Sequence, residues 1–254
     1  MATAKKVTRV SGSKSDNARP VFVPTAESKS QAGKFRMYAI ILWVLAVIAQ
    51  IVGIWILSKY APLTTGQRIG LIGILAADLI LLIAGSSFWK KANRFDPPSK
   101  ASALFGVKSQ LGVIMAVVCF LPVIIVSIIK KEWLVLAAAI AMMIGGGAAS
   151  ADYNPASQEE YAEQILEVET LTGQDFVYWT KSGTKFHLYN ECRYINTSKT
   201  TEIFEGSVAD ARKEKNITEL CSACKTKVMK EKGISDEQLK EAQDAAKNAL
   251  ENIE

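Results

Sequence analysis

The chain has 254 residues, with 30 Lys and Arg against 25 Asp and Glu, a length that allows one or two domains. The charge is divided: from residue 152 onward 13 basic residues stand against 20 acidic ones, a net of −7, and the remainder carries +12. An acidic C-terminal part lacks the basic face that phosphate binding requires. The composition therefore argues against a nucleic-acid partner.

Residues 1–36 are rich in Lys, Ser, Thr and Ala and contain few large apolar side chains. A segment of this composition cannot bury a core, so we expect a disordered basic tail. Two roles are open for its eight basic residues. They signal the topology of the chain, or they bind anionic lipid headgroups at about 1 kcal/mol per residue. The topology role alone suffices to explain them.

Residues 37–151 predict an α-helical membrane domain. A hydrocarbon core of about 30 Å requires about 20 apolar residues of helix. Four segments meet this length, at 37–60, 67–90, 109–129 and 132–151. Core helices of a soluble protein are the alternative, but four such stretches with almost no charge disfavour it. The first segment exceeds the 7–15 apolar residues of a signal peptide, so we interpret it as a permanent anchor.

The placement of Lys and Arg predicts the orientation. Eight basic residues precede the first span, and five more lie in the loop at 90–108. The other two connections carry two each, so the positive-inside rule puts both termini in the cytoplasm. The short, glycine-rich fourth span is the weakest of the four. If it did not cross, the C-terminal domain would lie outside.

Asp78 lies in the middle of the second span, with Gln50 of the first span as its candidate partner. A carboxylate at this depth must face other helices or a water-filled cavity, or remain protonated. Two roles are open: a proton or cation relay, and a structural hydrogen bond between helices. A single acid without a basic or second acidic partner favours the structural role.

The rest of the chain predicts a small soluble α+β domain. Residues 152–175 form a linker with a juxtamembrane helix that starts at the Ser157/Glu160 capping pattern. The segment "DFVYWTKSGTKFHLY" predicts two strands around the turn at Ser182-Gly183, with His187 on the second. Two further helices follow within a module at 176–232, the first of them capped by Ser207 with Asp210 in the reciprocal position. The Ser235/Gln238 pattern begins a C-terminal helix at 233–254. That last helix presents one apolar face: Leu239, Ala242, Ala246, Leu250 and Ile253.

Three of the four cysteines share this module with the only histidine of the chain, in the spacing His187-x4-Cys192-x28-Cys221-x2-Cys224. Three thiolates and one imidazole complete a closed tetrahedral zinc site, and four protein ligands leave no position for a catalytic water. A cytoplasmic location keeps such thiols reduced. Two alternatives remain: a redox pair formed by Cys221 and Cys224, and a core histidine with unrelated buried cysteines.

The sequence "VYWTKSGTKFHLYNECRY … LCSAC" resembles the small zinc module described as Ada-like metal-binding, over about residues 176–228. The resemblance is carried by the aromatic hairpin, His187, Cys192 and the pair Cys221/Cys224. The Ada repair protein uses four cysteines, one of which accepts a methyl group. A histidine replaces one of them here, so methyl transfer is not implied. The four spans followed by this module also resemble a group of uncharacterised bacterial membrane proteins.

Three functions follow as hypotheses. The first is a non-enzymatic membrane protein whose cytoplasmic module, built on structural Zn²⁺, is an interaction or scaffold domain for a protein partner or a second copy. The second is a small oligomeric transporter or channel-like protein that works through Asp78. The third is a thiol redox sensor that uses Cys221 and Cys224. A nuclease or protease is disfavoured, because the only histidine is already assigned to the metal.

Overall fold

A computed structural model describes residues 6–9, 22 and 24–251. The helices run in the order α1 (Ala26–Tyr60), α2 (Thr65–Phe95), α3 (Phe105–Ser109), α4 (Leu111–Lys130), α5 (Trp133–Ser150), α6 (Gln158–Thr172), α7 (Val208–Lys215), α8 (Ser222–Lys232) and α9 (Asp236–Glu251). The strands are β1 (Lys6–Arg9), β2 (Val177–Thr180), β3 (Lys185–Phe186), β4 (Glu202–Gly206) and β5 (Glu219–Leu220). The chain divides into two compact units. Pro24–Ala156 form the helical unit, and Ser157–Glu254 with Met1–Val23 form the mixed unit.

Four helices of the helical unit, α1, α2, α4 and α5, are long and apolar enough to cross a membrane. They coincide with the four predicted spans, and the ends of α2, α4 and α5 lie within five residues of the predicted ones. The predicted start of the first span at 37 differs most, because α1 begins at Ala26. Residue 37 marks only where the apolar run begins.

The N-terminal turns of α1 are held by contacts with the end of α2. Ala32 is fully buried, and the guanidinium of Arg36 donates to Asp96 Oδ2 over 2.8 Å. Thr25 caps the helix by accepting the N–H of Ser28. Residues that look like a polar tail in the sequence are therefore part of a packed helix.

The core of the helical unit is a single cluster in which all four long helices take part. Its fully buried members include Leu57 of α1, Leu75 of α2, Phe120 of α4 and Ala139 of α5. Glycines permit close approach between the helices: a Cβ at Gly146 would lie 2.7 Å from Leu79 Cδ1. The glycine run of the fourth predicted span therefore lies within a continuous helix and packs against α2.

Polar contacts between chain segments occur at each end of this bundle. At one end, the buried carboxylate of Glu132 accepts the N–H of Leu63 over 2.7 Å and the Nε–H of Arg68 over 2.8 Å. At the other end, Gln110 exchanges two hydrogen bonds with the backbone of Asp152. The short connections at 61–64 and 131–132 thus lie at one end, and the chain leaves α5 at the opposite end.

The mixed unit contains two small sheets packed with α6, α7, α8 and α9. One sheet has the order β1-β4-β2, in which β4 pairs parallel with β1 and antiparallel with β2. The other consists of the parallel pair β3 and β5. Trp179, Phe186, Val168 and Ile217 are among the side chains buried in its core. The capping patterns at Ser157, Ser207 and Ser235 are all present as hydrogen bonds.

The predicted disordered tail is only partly described. Residues 1–5, 10–21 and 23 lie outside the described residues, as does Ile253 of the predicted apolar face. Within the described part, residues 6–9 form β1, which pairs with β4 from Lys6↔Glu202 to Arg9↔Glu205. Phe22 also contacts the ring of Tyr161, with the centroids 4.9 Å apart. These described residues belong to the mixed unit, which is a difference from the prediction.

Deleting residues 1–12 is expected to expose one edge of β4. Backbone groups that pair across a strand edge become accessible to water when the neighbouring strand is removed. Hydrogen exchange measured by mass spectrometry should accelerate in residues 202–206 and stay unchanged in α8, which makes no strand pair with β1. Unchanged exchange in β4 would contradict the pairing.

A second prediction concerns Asp175, whose carboxylate accepts the N–H of Val208 at the start of α7 over 2.8 Å. Burial raises the pKa of Asp175 from 3.8 to about 6, the hydrogen bond from Val208 opposes this, and Glu169 and Asp210 add to it. Between these pH values the folded state binds more protons than the unfolded state, so the stability falls as the pH rises. Above pH 6 the carboxylate is ionised in the folded and the unfolded state, so the buried charge lowers the stability by its full amount.

Asp175→Asn keeps an acceptor for Val208 and removes the charge. We expect the variant to be more stable than the wild type by about 1–3 kcal/mol at pH 7.5, with the difference shrinking toward pH 4. Denaturant unfolding of both proteins at each pH measures the difference in the free energy of unfolding. Effects of pH on other groups change both proteins alike and cancel in this difference. A difference that does not depend on pH would contradict the prediction.

Candidate metal centre

The first candidate ligand, His187, directly follows β3, which comes after a turn that begins at the end of β2. This turn contains Gly183, whose N–H donates to the carbonyl of Thr180 over 3.1 Å. His187 then pairs with Tyr178 through two backbone hydrogen bonds of 2.7 and 2.8 Å. The prediction placed His187 on the second strand; it lies one residue beyond β3, in this isolated bridge. The backbone of His187 is therefore held by the sheet, while its side chain is buried.

The second candidate ligand, Cys192, lies in the turn that follows. Its N–H donates to the carbonyl of Tyr189, and its own carbonyl accepts the N–H groups of Ile195 and Asn196. Its side chain is half-buried and packs against the core of the mixed unit. A loop ligand of this kind is positioned by local hydrogen bonds and not by a long strand or helix.

Cys221 and Cys224 lie at the start of α8, with Cys221 as the residue that precedes its first turn. The N–H of Cys221 donates to the carbonyl of Phe186 over 2.9 Å, which extends the β3–β5 pairing by one residue. This contact joins the segment that carries His187 to the segment that carries both sulfurs. The N-terminus of a helix also favours negative charge, so its dipole stabilises thiolates there.

The four candidate ligand atoms converge on one point. One nitrogen of His187 and the three sulfurs all lie within 4.8 Å of one another. The distance from His187 Nδ1 to Cys224 Sγ is 3.7 Å. In a tetrahedral zinc site, ligand atoms of this kind lie about 3.5–3.8 Å apart, as metal–ligand bonds of about 2.0–2.3 Å require. The four residues therefore lie close enough to bind one metal ion.

The environment of His187 suits a ligand. Burial, with a smaller contribution from Lys185, lowers the pKa of His187 from 6.5 to about 4. The imidazole is consequently neutral at pH 7, and one ring nitrogen has a free lone pair, as metal ligation requires. His187 is 4% exposed, so water competes little for the lone pair of its imidazole.

The environment of Cys224 also favours metal binding. Burial raises the pKa of Cys224 to about 12, and a backbone hydrogen bond at Leu188 opposes this. A hydrogen bond with Cys192 and the repulsion between like charges at Cys192 and Cys221 raise the pKa further. Three thiolates so close together need a positive charge among them. A divalent cation supplies that charge, and soft sulfur ligands with one imidazole match zinc better than calcium or magnesium. The donor set thus fits a metal ion of the zinc type.

The same values bear on the redox alternative. A reactive thiol is accessible and has a lowered pKa. Cys221 and Cys224 are 4% and 2% exposed, and the pKa of Cys224 is raised. Both properties favour metal binding over thiol exchange.

Sequence reasoning missed the strands β1, β4 and β5, and β5 matters most for the site. It has only the two residues Glu219 and Leu220, too short for any alternation of polar and apolar side chains to appear. The pairing with β3 connects segments more than thirty residues apart. No local sequence pattern predicts such a pairing, although it brings the segment with His187 next to the segment with Cys221 and Cys224.

Gln50 and Asp78, the polar pair identified in the predicted spans, belong to the helical unit and not to the metal centre. The structure brings them together: the side-chain amide of Gln50 donates to a carboxylate oxygen of Asp78. Asp78 is fully buried and Gln50 is 4% exposed.

Compared with known proteins, the chain matches no protein-family model, no curated protein and no solved structure, so the metal centre is assigned on its geometry and donor set alone.

Proposed function

We propose that the protein is an integral membrane protein whose cytoplasmic domain, stabilised by structural zinc, serves as a non-enzymatic interaction module. The observation that carries the proposal is the ligand set itself. Four protein ligands converge within 4.8 Å, three of them on buried residues. A four-coordinate zinc site of this kind has no open position for water or substrate, and its contribution is to folding.

The metal proposed is Zn²⁺, held by His187, Cys192, Cys221 and Cys224. These ligands come from two segments that share a few hydrogen bonds and one small core cluster. A domain with so little regular sheet gains much of its stability from a bound metal. The Ada-like resemblance adds to this proposal, and the histidine supports a structural site without methyl transfer.

A membrane location is supported by the surface of the helical unit. Large apolar side chains are exposed along each of the four long helices, including Ile51 at 61%, Ile69 at 66%, Ile129 at 69% and Ile144 at 64%. In water such a surface would associate, whereas in a bilayer it faces lipid. Exposed apolar side chains outside and a packed apolar cluster inside are what a membrane bundle requires.

The orientation proposed has both termini in the cytoplasm. The basic loop at 90–108 and the exit of the chain after α5 lie at the same end of the bundle. Lys90 Nζ donates to the carbonyl of Ala149 at that end. Of the connections that the structure describes, the short ones at 61–64 and 131–132 lie at the opposite end. The positive-inside rule assigns the first end to the cytoplasm, where thiols stay reduced.

The role as an interaction module is supported by the exposed side of the ligand loop. Tyr194 is 57% exposed and stacks with Arg193, whose guanidinium carbon lies 4.9 Å from the ring centroid. Tyr and Arg are enriched at the centres of protein interfaces. The loop follows directly from Cys192, so the metal that orders the ligands would also order this surface. The partner proposed is another protein or a second copy of the chain.

Site-specific photocrosslinking in native membranes tests this role. A photoreactive residue at position 194 should yield discrete protein adducts, and these should disappear when Cys221 and Cys224 are both replaced by serine. The matched control is the same residue at position 69 of α2, on the apolar surface of the helical unit. Adducts that persist without the metal ligands, or that match those at position 69, would contradict the proposal. A reproducible catalytic turnover by the purified protein would contradict its non-enzymatic part.

A further inference from the structure

The buried pair Gln50 and Asp78 is incompletely satisfied in a specific way. Gln50 Nε2 donates to Asp78 Oδ2, which uses one atom of each side chain. The other two oxygens, Gln50 Oε1 and Asp78 Oδ1, are buried and have no partner among the described residues. Both are acceptors when the carboxyl group is ionised, so neither can satisfy the other. Leaving two buried acceptors unpaired beside a charge is costly.

Among the residues that the structure describes, none supplies a positive charge near Asp78. Asp78 is the only Asp, Glu, Lys, Arg or His within the stretches 37–58, 69–89, 111–129 and 133–150. The basic residues nearest to it on α2 are Arg68 and Lys90, which are about 15–18 Å away along the helix. Arg68 is already paired with Glu132. The titratable group that α4 brings near Asp78 is Cys119, which carries no positive charge.

We infer that Asp78 holds a proton and that the two side chains form a closed pair with two hydrogen bonds. The hydroxyl at Oδ1 donates to Gln50 Oε1, while Gln50 Nε2 donates to the carbonyl oxygen Oδ2. One proton supplies the missing donor, so both unpartnered oxygens are satisfied by the same event. The charge disappears at the same time, and with it the cost of an ion among apolar helices. Asp78 is thus a proton-binding site that links α1 to α2.

The pair has a consequence for the helical unit. A carboxyl group that keeps its proton in a closed pair connects helices and does not pass the proton on. This consequence separates the inference from the transporter hypothesis, which needs an Asp78 that ionises during each cycle. The pair belongs to the helical unit and shares no residue with the metal centre of the mixed unit.

Infrared difference spectroscopy of the full chain in lipid vesicles tests the protonation directly. The wild type should show the C=O stretch of a carboxylic acid at pH 7 and at pH 9, and the band should shift in D₂O. Asp78→Asn should lack that band. Absence of the band in the wild type at pH 7 would overturn the inference, because the carboxylate would then be ionised.

A stability series tests the closed pair without relying on spectra. Asparagine can form both hydrogen bonds with Gln50, because its amide places one N–H and its carbonyl oxygen in nearly the positions of the hydroxyl and carbonyl of the protonated acid. Asp78→Asn should therefore leave the thermal midpoint within about 1 °C of the wild type, whereas Asp78→Leu should lower it by about 2–6 °C. If Asn were as damaging as Leu, the negative charge would be required and the inference would fail. A wild-type midpoint that rises with Na⁺ or K⁺, but not in Asp78→Asn, would show a cation in place of the proton.

Discussion

Replacing Cys221 and Cys224 together by serine is expected to abolish zinc binding and to unfold most of the mixed unit. Metal binding contributes about 10–16 kcal/mol in small zinc-dependent domains, because the unfolded chain has no preformed site. Two ligands cannot hold the ion in a tetrahedral site. Both sulfurs also belong to the core cluster that contains Trp179 and Phe186, so the loss reaches the sheets. Zinc content and hydrogen exchange of residues 157–251 in the full-length protein measure the two effects.

The one cysteine outside the candidate ligand set, Cys119, provides the matched control. Cys119 is buried in the core cluster of the helical unit. Cys119→Ala should leave both the zinc content and the exchange of residues 157–251 unchanged. A chelator added to the wild type should reproduce the pattern of the double variant. Native exchange in a zinc-free double variant would show that the metal is not structural.

Gly85→Val is expected to destabilise the helical unit strongly. A Cβ at this position would lie 2.6 Å from Trp43 Nε1 and 3.2 Å from the backbone oxygen of Ala39. Neither a ring held in the core nor the backbone of α1 can yield easily, so the two helices must separate. Trp43 Nε1 also donates to the carbonyl of Leu82, and that bond would be strained. Overpacking of this kind typically costs about 1–3 kcal/mol.

Gly73→Val separates this packing effect from the effect of valine on the helix itself. Gly73 lies on the same helix, and a Cβ there would meet nothing within 4 Å. Both substitutions change the helix propensity equally. Thermal unfolding in detergent should therefore show a clear loss for position 85 and little change for position 73. Equal losses at both positions would contradict the close contact of α1 and α2.

The long helices were predictable because length and hydropathy suffice to detect an apolar span. The start of α1 was not, since residues 26–36 have a polar composition and are helical through tertiary contacts. Ser28, for example, is 3% exposed and donates to the carbonyl of Phe95, sixty-seven residues away. A prediction from local composition cannot detect such a contact, and for this reason residues 26–36 were assigned to a disordered tail.

That His187, Cys192, Cys221 and Cys224 lie close enough to bind one metal ion was predictable for a different reason. The C-x2-C spacing and a single histidine restrict the choice of ligands so strongly that the fold is hardly needed. What the sequence did not reveal is how the ligands meet. The pairing of β3 with β5 and of β1 with β4 depends on partners far apart in the chain, and strands of two to five residues carry almost no periodic signal. The local caps, by contrast, were visible at Ser157, Ser207 and Ser235.

Elemental analysis of the full-length protein, purified without added metal, tests the central claim most directly. The account predicts about one zinc per chain. That zinc should be lost from the Cys221→Ser, Cys224→Ser variant and retained by Cys119→Ala. A protein that is folded in the mixed unit and contains no zinc or other metal would contradict the account. The buried cluster of His187, Cys192, Cys221 and Cys224 would then have to be stable without a metal ion.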